Sequence, residues 1–143
     1  MTADSKPSTV VLLVQKEVAQ RIAAKPGDMS ILAISAQVYA RATLGDVVPA
    51  ELFTPPPKVD SQVVILNMHA QPLVTGDDEN AFFRIVKAGF SAKRKKLRSS
   101  LSGGLGISKQ ETEKILENVG ISPDSRAEDL TIADWIRLSA DQQ

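Results

Sequence analysis

Between residues 81 and 103 there are seven cations and no carboxylate: Arg84, Lys87, Lys93, Arg94, Lys95, Lys96 and Arg98. Unopposed cations at helical spacing suit one kind of chemistry, holding a run of phosphates by releasing its counterions. At about 100° per residue, Arg84, Lys87, Arg94, Lys95 and Arg98 fall within an arc of roughly 100°. Phe83, Val86, Phe90, Leu97 and Leu101 fall on an adjacent arc that would pack inward. Lys93 and Lys96 lie off the basic face and would reach it by snorkelling, or by a bend near Ser91. The plainer reading is a solvated amphipathic helix, but no glutamate is interleaved to form i,i+4 pairs. The rest of the chain leans acidic, with 6 basic and 9 acidic residues before position 81 and 4 basic and 8 acidic after position 103. A net charge of zero therefore hides one basic element.

The second chemical signal is Phe53-Thr54-Pro55-Pro56-Pro57-Lys58-Val59-Asp60-Ser61. Three consecutive prolines fix φ and donate no backbone hydrogen bond, so this is a stiff extended loop. Such loops serve as structural braces or as ligands for aromatic grooves. Phe53 reads as core, or as an aromatic wall on which an unstacked base could lie. Gln15-Lys16-Glu17 follows the first strand, where α/β proteins place functional groups, but is a weak signal. His69 reads as a surface residue and Trp135 as core.

Other chemistries are excluded. The chain has no Cys and one His, which removes disulfides, Cys-ligated zinc and thiol catalysis and leaves no basis for a His metal site or a Ser-His-Asp triad. No apolar run approaches the roughly 20 residues that span a bilayer. The first eight residues are polar and lack a signal-peptide core. A cytoplasmic protein is the simple expectation. At 143 residues, with 43% hydrophobic and 24% charged residues, the chain can bury a core.

Several elements must position these residues. Residues 9–14 (Thr-Val-Val-Leu-Leu-Val) read as a buried strand in a sheet covered on both faces. Residues 16–25 read as a helix stopped by Pro26-Gly27, and residues 29–42 as a second helix from Ile31, Ile34, Val38 and Ala42. Residues 44–48 and 62–68 read as strands. Residues 70–77 form a linker. Beyond it the pattern is helical: a long helix over 78–101 broken by Gly103, Gly104 and Gly106, then a Ser108/Glu111 capping box opening a helix to Val119, and a Thr131/Asp134 box opening the last. The expected class is α/β plus all-α. An α/β portion of about three strands and two helices (1–70) precedes a helical domain (78–143). A first strand this apolar makes the α/β portion incomplete unless it is covered by a homodimer partner or by the rest of a larger domain.

Together these stretches resemble the rRNA adenine dimethyltransferase family. Val11-Leu12-Leu13-Val14-Gln15-Lys16-Glu17-Val18 is similar to a late strand and the helix after it. Phe53-x-Pro55-x-Pro57-x-Val59-Asp60-Ser61 is similar to the family's proline-loop motif. The stretch Phe82-Phe83-Arg84 through Lys93-Arg94-Lys95-x-Leu97-Arg98 resembles the opening of its C-terminal domain, and Gly120-Ile121-x-Pro123-x-x-Arg126-Ala127-Glu128-x-Leu130 its closing segment. The spacing is that of the small-subunit branch; macrolide-resistance methylases share the proline loop but fit the helical end less well. The match is to the C-terminal half only. The family's Gly-rich donor loop, its ribose-binding acid and its Asn-Leu-Pro-Tyr motif have no counterpart here.

The resemblance implies a Rossmann-like methyltransferase sheet, and S-adenosylmethionine as methyl donor for the complete enzyme. For this chain alone it implies no cofactor, no catalytic residue and no activity. It implies small-subunit rRNA and the small ribosomal subunit as partners, with a complementing N-terminal half. Phe53 would stack on the target adenine, Pro55 and Pro57 would stiffen that wall, and Lys58 would touch phosphate. Arg84, Lys87, Lys93, Arg94, Lys95 and Arg98 would hold the rRNA backbone. The competing reading is a non-enzymatic module that binds rRNA or the small subunit during assembly. A third is a structural domain with a solvated basic helix.

Overall fold

The computed structural model of the protein describes residues 8–92 and 94–141. These divide into two units. One holds Leu32–Leu73 and the described residues up to Ala24; the other holds Lys25–Ile31 and the described residues from Val74 onward.

The first unit is a three-stranded antiparallel sheet with two helices. Its strands are β1 (Thr9–Gln15), β2 (Ala40–Val48) and β3 (Ser61–Met68), in the order β1-β3-β2. Leu12 pairs with Val64 across one ladder and Leu44 with Val64 across the other. Helices α1 (Lys16–Ile22) and α2 (Ile31–Gln37) follow β1. Ala19, Ile22 and Val64 form the core of this unit, with Val14, Leu32, Ala36, Ala42 and Leu66 packed against them. Because side chains alternate along a strand, Val14, Val64, Leu66 and Ala42 share the face under the helices. Gln37 Nε2 donates to the carbonyls of Ile22 and Ala24, both at 2.9 Å, and so ties α2 to the end of α1.

Three expectations for this unit are corrected. β1 is not covered on both faces: Val11 and Leu13, on the face away from the helices, are 62% and 50% exposed. The helices described in this unit pack on one side only, and β1 pairs on one edge only, with β3, among the described residues. The second helix does not reach residue 42 either. It ends at Gln37, and Ala40–Val48 is strand. Val38 and Ala42 fit a helical stripe but equally fit a strand, and pairing with β3 decides between them. His69, expected on the surface, is half-buried. Its N–H donates to Tyr39 O, and its Nε2 lies 3.0 Å from Gln37 O.

The second unit contains α3 (Asp77–Gly89), α4 (Leu97–Leu105), α5 (Lys109–Asn118) and α6 (Ile132–Asp141). Its core is built on Phe82, Val86, Leu97, Leu101, Leu116, Trp135 and Leu138, all 1% exposed or less. The Trp135 ring stacks on Phe90 with centroids 5.7 Å apart. Ser108 Oγ accepts the Glu111 N–H at 3.1 Å and caps α5. Thr131 and Asp134 cap α6 reciprocally, backbone N–H to side chain at 3.0 Å each way. Lys25–Ile31 joins this unit because the Gly27 and Met29 N–H groups both donate to Glu128 O. Nothing in the local pattern announces that attachment.

The long helix expected over 78–101 is two helices. α3 stops at Gly89, and Ser91 Oγ donates to Ala88 O at 2.6 Å. A continuous helix would stack like charges at i,i+3 and i,i+4 through the 93–98 cluster, which is unfavourable. The N-terminus of α4 is claimed from a distance: Leu97 N–H donates to Ser125 O at 2.8 Å and Arg98 N–H to Pro123 O at 3.2 Å. Of the glycines expected to break the helix, only Gly106 does so, as a left-handed cap with φ 69°. Gly103 and Gly104 lie inside α4.

These adjacent glycines have opposite expected effects. A Cβ on Gly104 would sit 2.7 Å from Ala88 Cα, so α4 packs backbone to backbone on α3 there; a Cβ on Gly103 meets nothing within 4 Å. Gly104→Ala is expected to destabilise by about 1–3 kcal/mol by forcing the helices apart. Gly103→Ala is expected to stabilise by up to ~1 kcal/mol through helix propensity alone. Thermal melts of the two variants check the difference in sign.

Candidate nucleic-acid interface

In the first unit the proline loop is held at both ends by one residue. Asp60 Oδ1 accepts the Ala50 N–H at 2.9 Å, and Asp60 O accepts the Lys16 N–H at 3.0 Å. The loop begins after a 3₁₀ turn at Ala50–Leu52, and its Thr54-Pro55 peptide is cis. The aspartate of the motif therefore serves as a brace, joining the turn, the loop and the start of α1. Phe53 is half-buried, neither a core side chain nor a fully presented one, while Pro55, Pro57 and Lys58 are exposed. Lys58 lines a depression of about 410 Å³ with Lys16, Glu17, Gln20 and Asp60. The sequence signal at Gln15-Lys16-Glu17 thus lies beside the loop, although sequence spacing alone did not connect them.

In the second unit the basic residues separate into two groups. Arg84 and Lys87 stand on α3, and Arg94 and Lys95 in the turn after it, all exposed. None of these four has an ion-pair partner among the described residues. Arg98, on α4, is committed differently. Its guanidinium meets Asp124 Oδ1 at 2.8 Å and Glu113 Oε1 at 3.4 Å, and Lys96 Nζ meets the same Asp124 at 3.4 Å. The single arc expected for a continuous helix is therefore replaced by four unpaired cations, two on α3 and two in the turn after it, and a paired cluster at the start of α4. Lys93 lies outside the described residues. Asp124 was missed from sequence because it lies 26 residues beyond Arg98 and is brought there only when the 122–125 loop caps α4.

Arg84 and Lys87 also line a groove of about 480 Å³ with Asn80, Phe83 and Ser91 of the same face, and with Gly104 opposite. Asn80, Arg84, Lys87 and Ser91 recur at helical spacing, a polar stripe that extends the basic signal in both directions. No carboxylate lines this groove. Cations without ion-pair partners, next to an aromatic side chain, suit a polyanion that carries rings.

Among the described residues, no helix is long and apolar enough to cross a membrane, and no cluster of three or more His, Asp or Glu could hold a metal ion.

Comparison with known proteins places this geometry. The family model described as ribosomal RNA adenine dimethylase matches residues 2–142. The "Ribosomal RNA small subunit methyltransferase A" of Dehalococcoides mccartyi strain 195 is 41% identical over 138 residues, which is 96% of this chain and 47% of that protein. The protein of the same name from Desulfitobacterium hafniense strain DCB-2 is 45% identical over 130 residues, 90% of this chain and 46% of that protein. The crystal structure of a dimethyladenosine transferase from Plasmodium falciparum superposes with a TM-score of 0.75 at 25% identity, covering 92% of this chain and 55% of that one. The chain thus spans about half the length of the curated relatives it matches. The sheet and helices are those of a Rossmann-like methyltransferase portion followed by a helical unit, and the chain belongs to the ribosomal RNA adenine dimethylase family.

Proposed function

We propose that this chain is the RNA-facing half of an S-adenosylmethionine-dependent small-subunit rRNA adenine dimethyltransferase. The observation that carries the reading is the proline loop, braced at both ends by Asp60 within the family's motif. In this role Phe53 stacks on the target adenine, Pro55 and Pro57 keep the wall from yielding, and Lys58 meets a neighbouring phosphate. Arg84, Lys87, Arg94 and Lys95 hold the rRNA backbone and fix its register without reading bases. Arg98, with its two carboxylate partners, supports the face from behind, and Lys93 belongs to the same basic segment. The chain's own contribution is positioning: an adenine amine held still and aligned reacts faster because its orientation is fixed in advance.

The methyl donor does not fit the described residues. A dinucleotide or nucleoside cradle needs a strand running into a glycine-rich loop. β1 runs directly into α1 at Lys16, β2 into Pro49, and β3 into His69. The chain is therefore expected to transfer no methyl group alone. The uncovered apolar face carrying Val11 and Leu13 supports a covering partner, either a complementing N-terminal half or a second copy of the chain.

The test mixes this chain with the separately produced N-terminal half of the Dehalococcoides mccartyi relative. Methyl incorporation into a small-subunit rRNA 3′-end fragment is then measured. The expected result is no incorporation by either half, incorporation by the mixture, and a loss of about tenfold or more in kcat/KM for Phe53→Ala, restored by Phe53→Tyr. Methyl transfer by this chain alone would overturn the reading. RNA binding without transfer by the mixture would favour the assembly-module alternative.

A further inference from the structure

We propose that the groove along α3 is a receptor for one nucleotide of single-stranded RNA, its phosphate between Arg84 and Lys87 and its base against Phe83. The proposal rests on the RNA-facing reading and deepens it. It assigns a second base contact, on the helical unit, separate from the one proposed at Phe53.

A site that only followed a phosphate backbone would need exposed cations on a convex face. This groove is an open depression of about 480 Å³, lined by an aromatic ring as well as by cations. It holds two cations and no carboxylate, so its field favours an anion. Neither cation is engaged elsewhere among the described residues, so an incoming phosphate displaces no internal ion pair. Phe83 lines the groove half-buried, its ring packed edge-to-face against the fully buried Phe82 at 5.1 Å. A half-buried aromatic ring restrained by a neighbouring ring offers surface for a base to stack on at a lower ordering cost than a free one.

The polar groups at the ends of the groove complete the match. Ser91, which lines the groove, donates its hydroxyl proton to Ala88 O at 2.6 Å, with Ser100 O at 3.4 Å, and keeps acceptor capacity for a base amine or a ribose hydroxyl. Asn80 is exposed, and its side-chain amide offers both donor and acceptor to a base edge. The close backbone approach at Gly104 sets α4 against α3 and gives the groove its far wall. A duplex does not fit this description, because its bases are stacked away from any such platform.

The test uses the whole chain and three fluorescent RNA probes: a single-stranded hexa-adenylate, an abasic ribose-phosphate hexamer, and a duplex of the same length. The hexa-adenylate is expected to bind about tenfold more tightly than either other probe. Phe83→Leu, which keeps an apolar group of similar volume, is expected to abolish that difference while leaving abasic binding unchanged. Arg84→Gln with Lys87→Gln is expected to weaken all three probes and lower the salt slope by about two. Asn80→Ala, an exposed change that does not threaten folding, is expected to lower the hexa-adenylate preference alone. Amide shift mapping with adenosine monophosphate should move Phe83, Ser91 and Gly104. Equal binding of abasic and hexa-adenylate probes, or a preference untouched by both Phe83→Leu and Asn80→Ala, overturns the receptor and leaves the RNA-facing reading standing. Failure of every probe to bind overturns both.

Discussion

Trp135→Ala is expected to unfold the helical unit. The indole is fully buried and stacks on Phe90, and a Cβ built on Gly89 would meet its ring inside contact distance. Gly89 therefore exists to admit this ring, and emptying the site leaves α3 and α6 facing a cavity that their backbones cannot close. Deleting a buried aromatic side chain costs about 3–5 kcal/mol, a large share of the 5–15 kcal/mol typical of a whole domain. Trp135→Phe is expected to be milder than Trp135→Ala, because it keeps one aromatic ring in the site and leaves a smaller cavity. It also loses no hydrogen bond, since Trp135 Nε1 has no acceptor among the described residues. Denaturant unfolding followed by far-UV circular dichroism checks both variants. Trp135 is the chain's one tryptophan, so wild-type fluorescence reports on this unit alone.

Reversing Arg94 and Lys95 to glutamate is expected to lower RNA affinity by about a hundredfold or more near 50 mM salt, and to reduce the salt slope by at least about two. These cations are exposed and unpaired, so their loss is felt by the ligand and scarcely by the fold. Arg98→Gln is expected to do the opposite. It breaks a contact to Asp124, in the 122–125 loop over the start of α4, and one to Glu113 on α5. Partly exposed pairs of this kind contribute about 0–1 kcal/mol each. A modest fall in stability with a nearly unchanged salt slope is the expected outcome, measured by melting and by titration. If Arg98→Gln lowered the slope as much as the Arg94/Lys95 reversal, the division of the basic segment into free and paired groups would be wrong.

The sequence made some of this legible and hid the rest for physical reasons. The caps at Ser108 and Thr131 are local chemistry: Ser108 Oγ takes the Glu111 N–H, one arm of the expected box, and the Thr131/Asp134 box forms in both directions. The strand at 61–68 was legible from its β-branched run. Three features depended on distant partners. Residues 40–42 are strand because β3 pairs with them. The 78–101 helix is split because Pro123 and Ser125 carbonyls claim the N–H groups of α4. Gly104 is a packing surface for Ala88, where a local reading makes it a helix breaker. The same distance hid Asp124 and so made Arg98 look like its neighbours. In the candidate interface, the motif residues Phe53, Pro55, Pro57 and Lys58 stood out by type and spacing. The brace made by Asp60 showed only once the chain was folded.

The most direct test of the RNA-facing reading is the affinity of the wild-type chain for a small-subunit rRNA 3′-end fragment across a salt series. Four unpaired cations, Arg84, Lys87, Arg94 and Lys95, set the expected slope. The logarithm of the binding constant should fall linearly with the logarithm of salt concentration, at about −3 to −4. No binding at low salt, or binding that salt leaves unchanged, would contradict it.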